Sequence, residues 1–322
     1  MRSICLPNTD LHVSSLCLGT GDFGSKLDQA ASWRLLNEFV DAGGNFIDTA
    51  NVYGDWIPGT KSSSEKVIGA WLAEQGRREQ VVVATKGAHP RLESMHVPRS
   101  APHEIIHDIE QSLRHLQTDV IDLYWLHRDD PTRPTGEIVE TLAAQVKAGK
   151  IRYFGCSNWR VERIRAANAY AAAQGLPGFV ADQMLWNAAV LDAAALPDKT
   201  MVAMDPALYA YHQESGLAAI PYSSQAHGLV HKLAAGNAAA IRPNHLAIYP
   251  LAANQARVAA AQALAEELSV TLTGVVLGYL QSQPFVTIPI IGAHTIPHLH
   301  DSLAADSVCL TPAQLKMLDA AQ

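Results

Sequence analysis

Asn45-Phe-Ile-Asp-Thr-Ala-Asn-Val-Tyr-Gly54 is the stretch on which the fold turns. The apolar pair Phe46-Ile47 reads as the end of a buried strand that stops at a carboxylate, Asp48. A short loop then carries a phenol, Tyr53, followed at once by Gly54. A helix follows over 64–75, with Val67, Ile68, Trp71 and Leu72 at helical spacing and Ser64 as its expected N-cap. The same unit of strand, polar loop and helix then repeats. Residues 81–86 are a continuous apolar and β-branched run ending in Lys86, expected to be buried on both faces. A helix is expected over 102–116. A strand over 120–126 leads to His127, and the next helix is expected over 135–148.

Working outward, residues 1–15 read as a hairpin around Pro7-Asn8-Thr9-Asp10, followed by a strand at 16–19 and a helix at 30–41 ended by Gly43-Gly44. Beyond 150, strands are expected at 151–156, 179–183, 217–222 and 286–291, with helices at 161–174 and 206–214. Residues 223–253 read as long and irregular. Helices at 254–268 and 273–281, one from about 297, and a short one opened by Thr311-Pro312 complete the chain. Eight strands each followed by a helix, with no break in composition, predict a (β/α)8 TIM barrel as one domain over 1–322. The N-terminal β-hairpin and extra C-terminal helices are additions to it. A doubly wound open sheet is the competing architecture. In a barrel the loops after the strands hold the chemistry, and Asp48, Lys86 and His127 each stand there.

Composition narrows the classes. The 322 residues are 48% hydrophobic and 17% charged, with a net charge of -7, which argues against a nucleic-acid partner. Cys5, Cys17, Cys156 and Cys309 lack CxxC or metal spacing and read as free thiols of a reducing compartment. The first twenty residues carry Asn8, Asp10 and His12 where a signal peptide is apolar, and the apolar run at 270–280 is too short to cross a bilayer. A cytoplasmic protein with no membrane partner is expected.

Two motifs point elsewhere. Gly19-Thr-Gly-Asp-Phe-Gly24 matches GxGxxG, but the strand-end acid Asp48 fits the ribose-binding position about 20 residues on poorly, since it lies 48 − 19 = 29 positions after Gly19. Its glycines equally suit a tight turn that lets backbone, at Gly19 and Thr20, approach a ligand. His103-Glu-Ile-Ile-His107 matches HExxH, yet Ile105, Ile106, Ile109, Leu113 and Leu116 make the buried stripe, leaving both histidines on a solvated face. His298 and His300 likewise read as surface histidines. No metal site is expected.

Singly, each strand-end side chain has a structural explanation: a capping Asp48, a loop Tyr53, a paired Lys86, a core His127. Together they describe proton transfer. A phenol is a poor acid near neutrality unless its phenolate is stabilised. An adjacent ammonium does that, a carboxylate holds the ammonium, and a neutral imidazole can orient a carbonyl.

Phe46-Ile-Asp-Thr-Ala-Asn-Val-Tyr-Gly54, Val82-Val-Ala-Thr-Lys86, Ser112-Leu-Arg-His-Leu-Gln-Thr-Asp-Val-Ile-Asp-Leu-Tyr124, Leu126-His-Arg128, Gly149-Lys-Ile-Arg152 and Gly155-Cys-Ser-Asn158 together resemble the aldo-keto reductase superfamily over nearly the whole chain. The resemblance implies an NAD(P)-dependent oxidoreductase that reversibly reduces an aldehyde or ketone. It implies Tyr53 as proton donor, Lys86 and Asp48 as its tuning pair and His127 as carbonyl-orienting group. Ser157, Asn158 and Gln183 would meet the nicotinamide carboxamide, Tyr222 would stack on its ring, and Ser223, Ser224 and Gly228 would follow the pyrophosphate. Gly292, His294, His298 and Ser302 would hold the adenosine end. The family cofactor is NADP(H). The chain departs from the family by placing His294 where it often has Lys or Arg, His298 where it often has Gln or Arg and Ser302 where it often has Asn, and the missing cation makes NAD(H) the alternative. Asp182 replaces the common Asn before Gln183.

Trp56 and Trp159 are expected to wall the substrate pocket, with His89, Arg128 and Asp129 as a polar rim suited to a hydroxylated, sugar-like carbonyl. Two other functions compete: a non-catalytic nucleotide-binding or regulatory module on the same fold, and a hydrolase using Asp129-Asp130, whose adjacent side chains point apart.

Overall fold

The computed structural model describes residues 1–321. A two-stranded antiparallel hairpin, β1 (Ser3–Cys5) and β2 (His12–Ser14), precedes a parallel sheet of eight strands. These are β3 (Cys17–Gly19), β4 (Phe46–Asp48), β5 (Val82–Gly87), β6 (Ile121–Leu126), β7 (Ile151–Ser157), β8 (Ala181–Gln183), β9 (Ala218–Ala219) and β10 (Ile290–Ile291). They pair in chain order, with β10 beside β3. The last gap closes where Ala219 N–H donates to Val286 O and Ile288 N–H to Ala219 O, each at 2.9 Å. The sheet is therefore a closed (β/α)8 barrel, as expected, and the open-sheet alternative falls away.

Helices α1 (Gln29–Asp41), α2 (Ser63–Gln75), α3 (Pro102–Leu116), α4 (Thr135–Lys147), α5 (Val161–Gln174) and α6 (Pro206–Ser215) alternate with the strands. Their boundaries follow local chemistry. Asp28 caps α1 through Ala31 N–H, and Pro102 opens α3 while Glu104 reaches back to Ala101 N–H. Between β9 and β10 lie α7 (Leu229–Ala234), α8 (Pro243–Ile248), α9 (Leu251–Leu268) and α10 (Leu272–Gln281). After them come α11 (Ile296–Leu303) and α12 (Pro312–Ala320), the last opened by a Thr311–Gln314 capping box.

Side chains alternate across each strand and so divide between two cores. Phe46, Val82, Ala84, Leu123, Trp125, Ala181 and Ala218 fill the barrel interior, and Leu6, Leu11 and Val13 of the hairpin region join them. Ile47, Val83, Tyr124, Phe154 and Cys156 face the helices. Every residue of β5 is buried, which matches the reading of a strand covered on both faces. No single helix among the described residues is long and apolar enough to cross a membrane; the apolar α10 is buried, with Val275, Val276 and Leu280 packed near Val258 and Leu264 of α9.

Three expectations change. Ser64 is not an N-cap: α2 starts one residue earlier, and the wholly buried Ser64 hydroxyl meets those of Thr20 and Thr49 at 2.8 Å. Residues 223–253 are not irregular, because α7 and α8 and two 3-10 turns occupy much of them; six-residue helices are too short to display a period. The strands expected at 217–222 and 286–291 shrink to two residues each. Prolines 221, 284 and 289 donate nothing to a ladder, although Ile290 N–H still reaches Pro221 O at 2.9 Å.

Candidate active site

The alternation that fills the barrel also builds its mouth. Counting in twos from the interior residues Phe46, Ala84 and Trp125 reaches Asp48, Lys86 and His127. Ala181 leads in the same way to Gln183, and Tyr153 to Ser157. These inward side chains converge. Lys86 Nζ donates to Asp48 Oδ2 in a very short contact, to Thr49 O at 2.8 Å and to Tyr53 Oη at 3.2 Å. Gln183 Nε2 donates to the other oxygen, Asp48 Oδ1, at 2.9 Å. The Tyr53 and His127 rings stand edge to face at 5.9 Å.

Burial dominates the electrostatics. It pushes the Tyr53 phenol above its ordinary pKa of 10, further than Lys86 draws it back, and Asp48 adds to the rise. The ammonium beside Tyr53 is already paired with Asp48, so its pull on the phenol is weakened. Burial works to lower Lys86, but Asp48 and then Tyr53 outweigh it and hold the ammonium above 10.5. Burial, then the neighbouring His89, Arg128 and Lys86, drives His127 well below 6.5, so its imidazole is neutral. His127 Nδ1 is buried without a hydrogen-bond partner. A buried bare nitrogen is the lesser penalty than a buried unpaired N–H, which puts the ring proton on Nε2. His89 lies 4.7 Å from the His127 ring and titrates near pH 4, first through burial and then through Arg128.

On the far side of the mouth, Asn158 is a left-handed residue (φ 61°) whose amide is fully engaged. Its oxygen accepts from Tyr222 Oη at 2.6 Å and Val202 N–H at 3.0 Å, and its nitrogen donates to Ser157 Oγ and His127 O. Ser224 Oγ donates to Ile290 O at 2.5 Å. Ser302 is buried and takes Gln225 Nε2 at 3.0 Å. Gly228, at φ 74°, precedes α7. Gly292, His294 and His298 are exposed; His294 Nε2 pairs with Asp22 at 2.7 Å and is not a free donor.

Several expected residues sit elsewhere. Trp159 does not wall the mouth: it is wholly buried, edge-on to Phe179 at 5.0 Å and beneath the Arg163 guanidinium. Trp56 is 45% exposed with its ring edge-on to Tyr53 at 5.9 Å, at the edge of the mouth. Of the polar rim, Arg128 is committed to Asp198 and Thr200, and Asp129 makes a two-pronged pair with Arg163. Only His89 remains. Thr20 is buried, its hydroxyl on Asp48 O at 2.9 Å. Gly19 is required by packing, since a Cβ there would lie 2.6 Å from Ile290 Cγ2. His103 and His107 lie exposed on α3, His107 against Gln111. Sequence reasoning missed the Gln183–Asp48 bond, which spans 135 positions and leaves no local signal.

Set beside known proteins, residues 15–322 match the aldo/keto reductase family. The chain is 33% identical over 328 residues to an uncharacterised oxidoreductase, YrpG, of Bacillus subtilis (strain 168), covering 99% of this chain and 95% of that one. It is 31% identical to an aryl-alcohol dehydrogenase [NADP(+)] of Phanerodontia chrysosporium, covering 97% and 83%. The solved structure of the thermostable aldo-keto reductase Tm1743 with the inhibitor epalrestat is similar in fold, at TM-score 0.73 and 23% identity over 100% of both chains. The protein belongs to the aldo/keto reductase family and is an oxidoreductase of that class.

Proposed function

We propose that the protein reduces an aldehyde or ketone reversibly to the alcohol, with Tyr53 as the proton donor. The observation that carries this reading is the Lys86 ammonium held at once by Asp48, Thr49 O and Tyr53 Oη. Reduction places negative charge on a carbonyl oxygen, and that oxygen must receive a proton. Tyr53 stays protonated until the oxygen becomes basic, and Lys86 stabilises the phenolate left behind. His127, neutral and protonated at Nε2, donates to the carbonyl oxygen and orients it. A module that only binds nucleotide has no use for a buried Asp–Lys–Tyr relay of this kind.

The residues present fit a nicotinamide dinucleotide, which supplies a hydride when bound. Ser157, Asn158 and Gln183 would hold the carboxamide, with Tyr222 against the ring. Ser223, Ser224 and Gly228 would follow the phosphates. Beside them His227, Lys232, Arg242 and His245 gather without a carboxylate: the two imidazoles stack at 4.2 Å, and the charged groups acting on His227 are Lys232 and Arg242. Burial, then His245 and the two cations, holds the His227 pKa near 4, so the charge here is that of Lys232 and Arg242, and in a chain of net charge -7 two such cations beside the expected phosphate path suit a polyanion. Gly292, His294, His298 and Ser302 would take the adenosine end.

The test is binding of NADPH and NADH followed by fluorescence, then turnover of a carbonyl panel. If neither nucleotide binds, the enzymatic reading fails. Because His294 Nε2 is engaged by Asp22 at 2.7 Å, His294→Arg should raise the NADPH-to-NADH preference by about tenfold, the size of one charge-assisted contact. An unchanged ratio would place the 2′-phosphate site elsewhere. With Arg128 and Asp129 paired off, the surviving walls are Trp56 and His89. They suit a carbonyl borne on a flat ring better than an open polyol, so substituted benzaldehydes should be reduced faster than aldoses.

A further inference from the structure

Strand alternation turns Ser157 and Gln183 into the barrel mouth and their predecessors, Cys156 and Asp182, outward toward α6. There they meet His212, and His212 and Asp182 are both wholly buried. His212 Nδ1 lies 2.7 Å from Leu217 O. A carbonyl only accepts, so Nδ1 carries its proton and Nε2 is the free end. Nε2 faces Asp182 Oδ2 at 3.6 Å, and neither atom has another partner. Asp182 Oδ1 takes the Cys156 thiol at 3.5 Å. Its other neighbours are the Gln183 backbone N–H on β8, the Tyr222 phenol, whose ionisation Asp182 opposes, and the Phe285 ring stacked on His212 at 5.3 Å; the largest influences on Asp182 after burial come from His212 and Cys156.

An ionised Asp182 opposite a neutral His212 would set two lone pairs against each other, buried, with no donor between them. One proton removes both orphans. We infer that Asp182 and His212 share one buried proton near neutrality and act as positioning residues, holding β7 and β8 in register (Cys156 opposite Asp182, Ser157 opposite Gln183) beneath the face that meets the cofactor. That last role rests on the function proposed above; the shared proton does not. Burial also holds the Asp182 carboxyl above the usual carboxylate range.

The sign of the pH dependence follows. Between about pH 4 and 6.5 the unfolded histidine also holds one proton, so the pair adds no slope. Above about 6.5 the unfolded chain releases it and the folded pair keeps it. Stability then falls as pH rises, by up to roughly tenfold in the folding constant per pH unit, until the pair itself titrates. In Asp182→Asn the amide donates to Nε2 without a titrating proton, and this slope vanishes.

The experiment is urea unfolding of wild type and Asp182→Asn from pH 6.5 to 9. The ratio of their folding constants should move toward the variant by up to about tenfold per pH unit. A ratio constant across that range overturns the shared proton. His212→Gln, which removes the imidazole and offers an amide donor to Asp182, should lose the same slope and serves if the first variant folds poorly. The second readout is the nucleotide dissociation constant against pH. Wild type should weaken at the alkaline end while Asp182→Asn does not, and parallel curves would overturn the positioning role. Absence of nucleotide binding in both proteins would instead overturn the proposed function, with unfolding still deciding the proton.

Discussion

Tyr53→Phe is expected to lower the turnover number by roughly 10³-fold, within the span attributed to a positioned general acid, while leaving nucleotide affinity within about twofold. The change deletes one oxygen and keeps the ring that packs against Trp56 and His127. Lys86 loses its longest contact, 3.2 Å, and retains Asp48 and Thr49 O, so the fold should be little disturbed. The loss should appear in kcat and kcat/KM equally, because the missing interaction is made only as the proton moves. Reduction at near wild-type rate in this variant would remove Tyr53 from the chemistry.

Lys86→Met is expected to damage two properties at once. The ammonium is 1% exposed and Asp48 2%, so removing the cation leaves a buried carboxylate held chiefly by Gln183. Breaking such a pair from one side costs about 3–5 kcal/mol. Turnover should also fall by roughly 10²-fold or more, since no cation faces the phenolate. The double variant Asp48→Asn/Lys86→Met separates the two effects. Exchange of a whole buried pair is often close to neutral for stability, so chemical denaturation should recover most of the loss while turnover stays low. If turnover recovered along with stability, Lys86 would be only a structural cation.

Much of this was legible in the chain because the barrel writes its mouth in steps of two. Asp48, Lys86 and His127 terminate apolar strands, and their parity with Phe46, Ala84 and Trp125 turns them inward. Helix ends were legible where proline and capping residues mark them, as at Pro102 and Thr311. What failed to show was decided between distant segments. Trp159 follows a strand end, and only the approach of Phe179 settles that it is core. Arg128 and Asp129 look like rim charges until Asp198, Thr200 and Arg163 arrive from elsewhere. Ser64 has the chemistry of a cap, yet Thr20 and Thr49 claim its hydroxyl. Asp182 did leave a trace, an acid on the outward parity of a buried strand, but its partner His212 lies thirty positions on.

The bond from Gln183 to Asp48 joins what the chain keeps far apart. Its amide is the expected contact for a bound nucleotide, and its other end rests on the carboxylate that pairs with Lys86. If Gln183 meets the nucleotide as proposed, occupancy at one end and acidity at the other would be coupled through this bond. By reciprocity, whatever factor nucleotide binding imposes on the ionisation of Tyr53, ionisation of Tyr53 imposes on nucleotide affinity. Reduced and oxidised cofactor, differing by a positive charge on the ring, would be weighed differently by a phenol and a phenolate. On the proposed function, the coupling between cofactor affinity and phenol acidity would run through one side-chain amide.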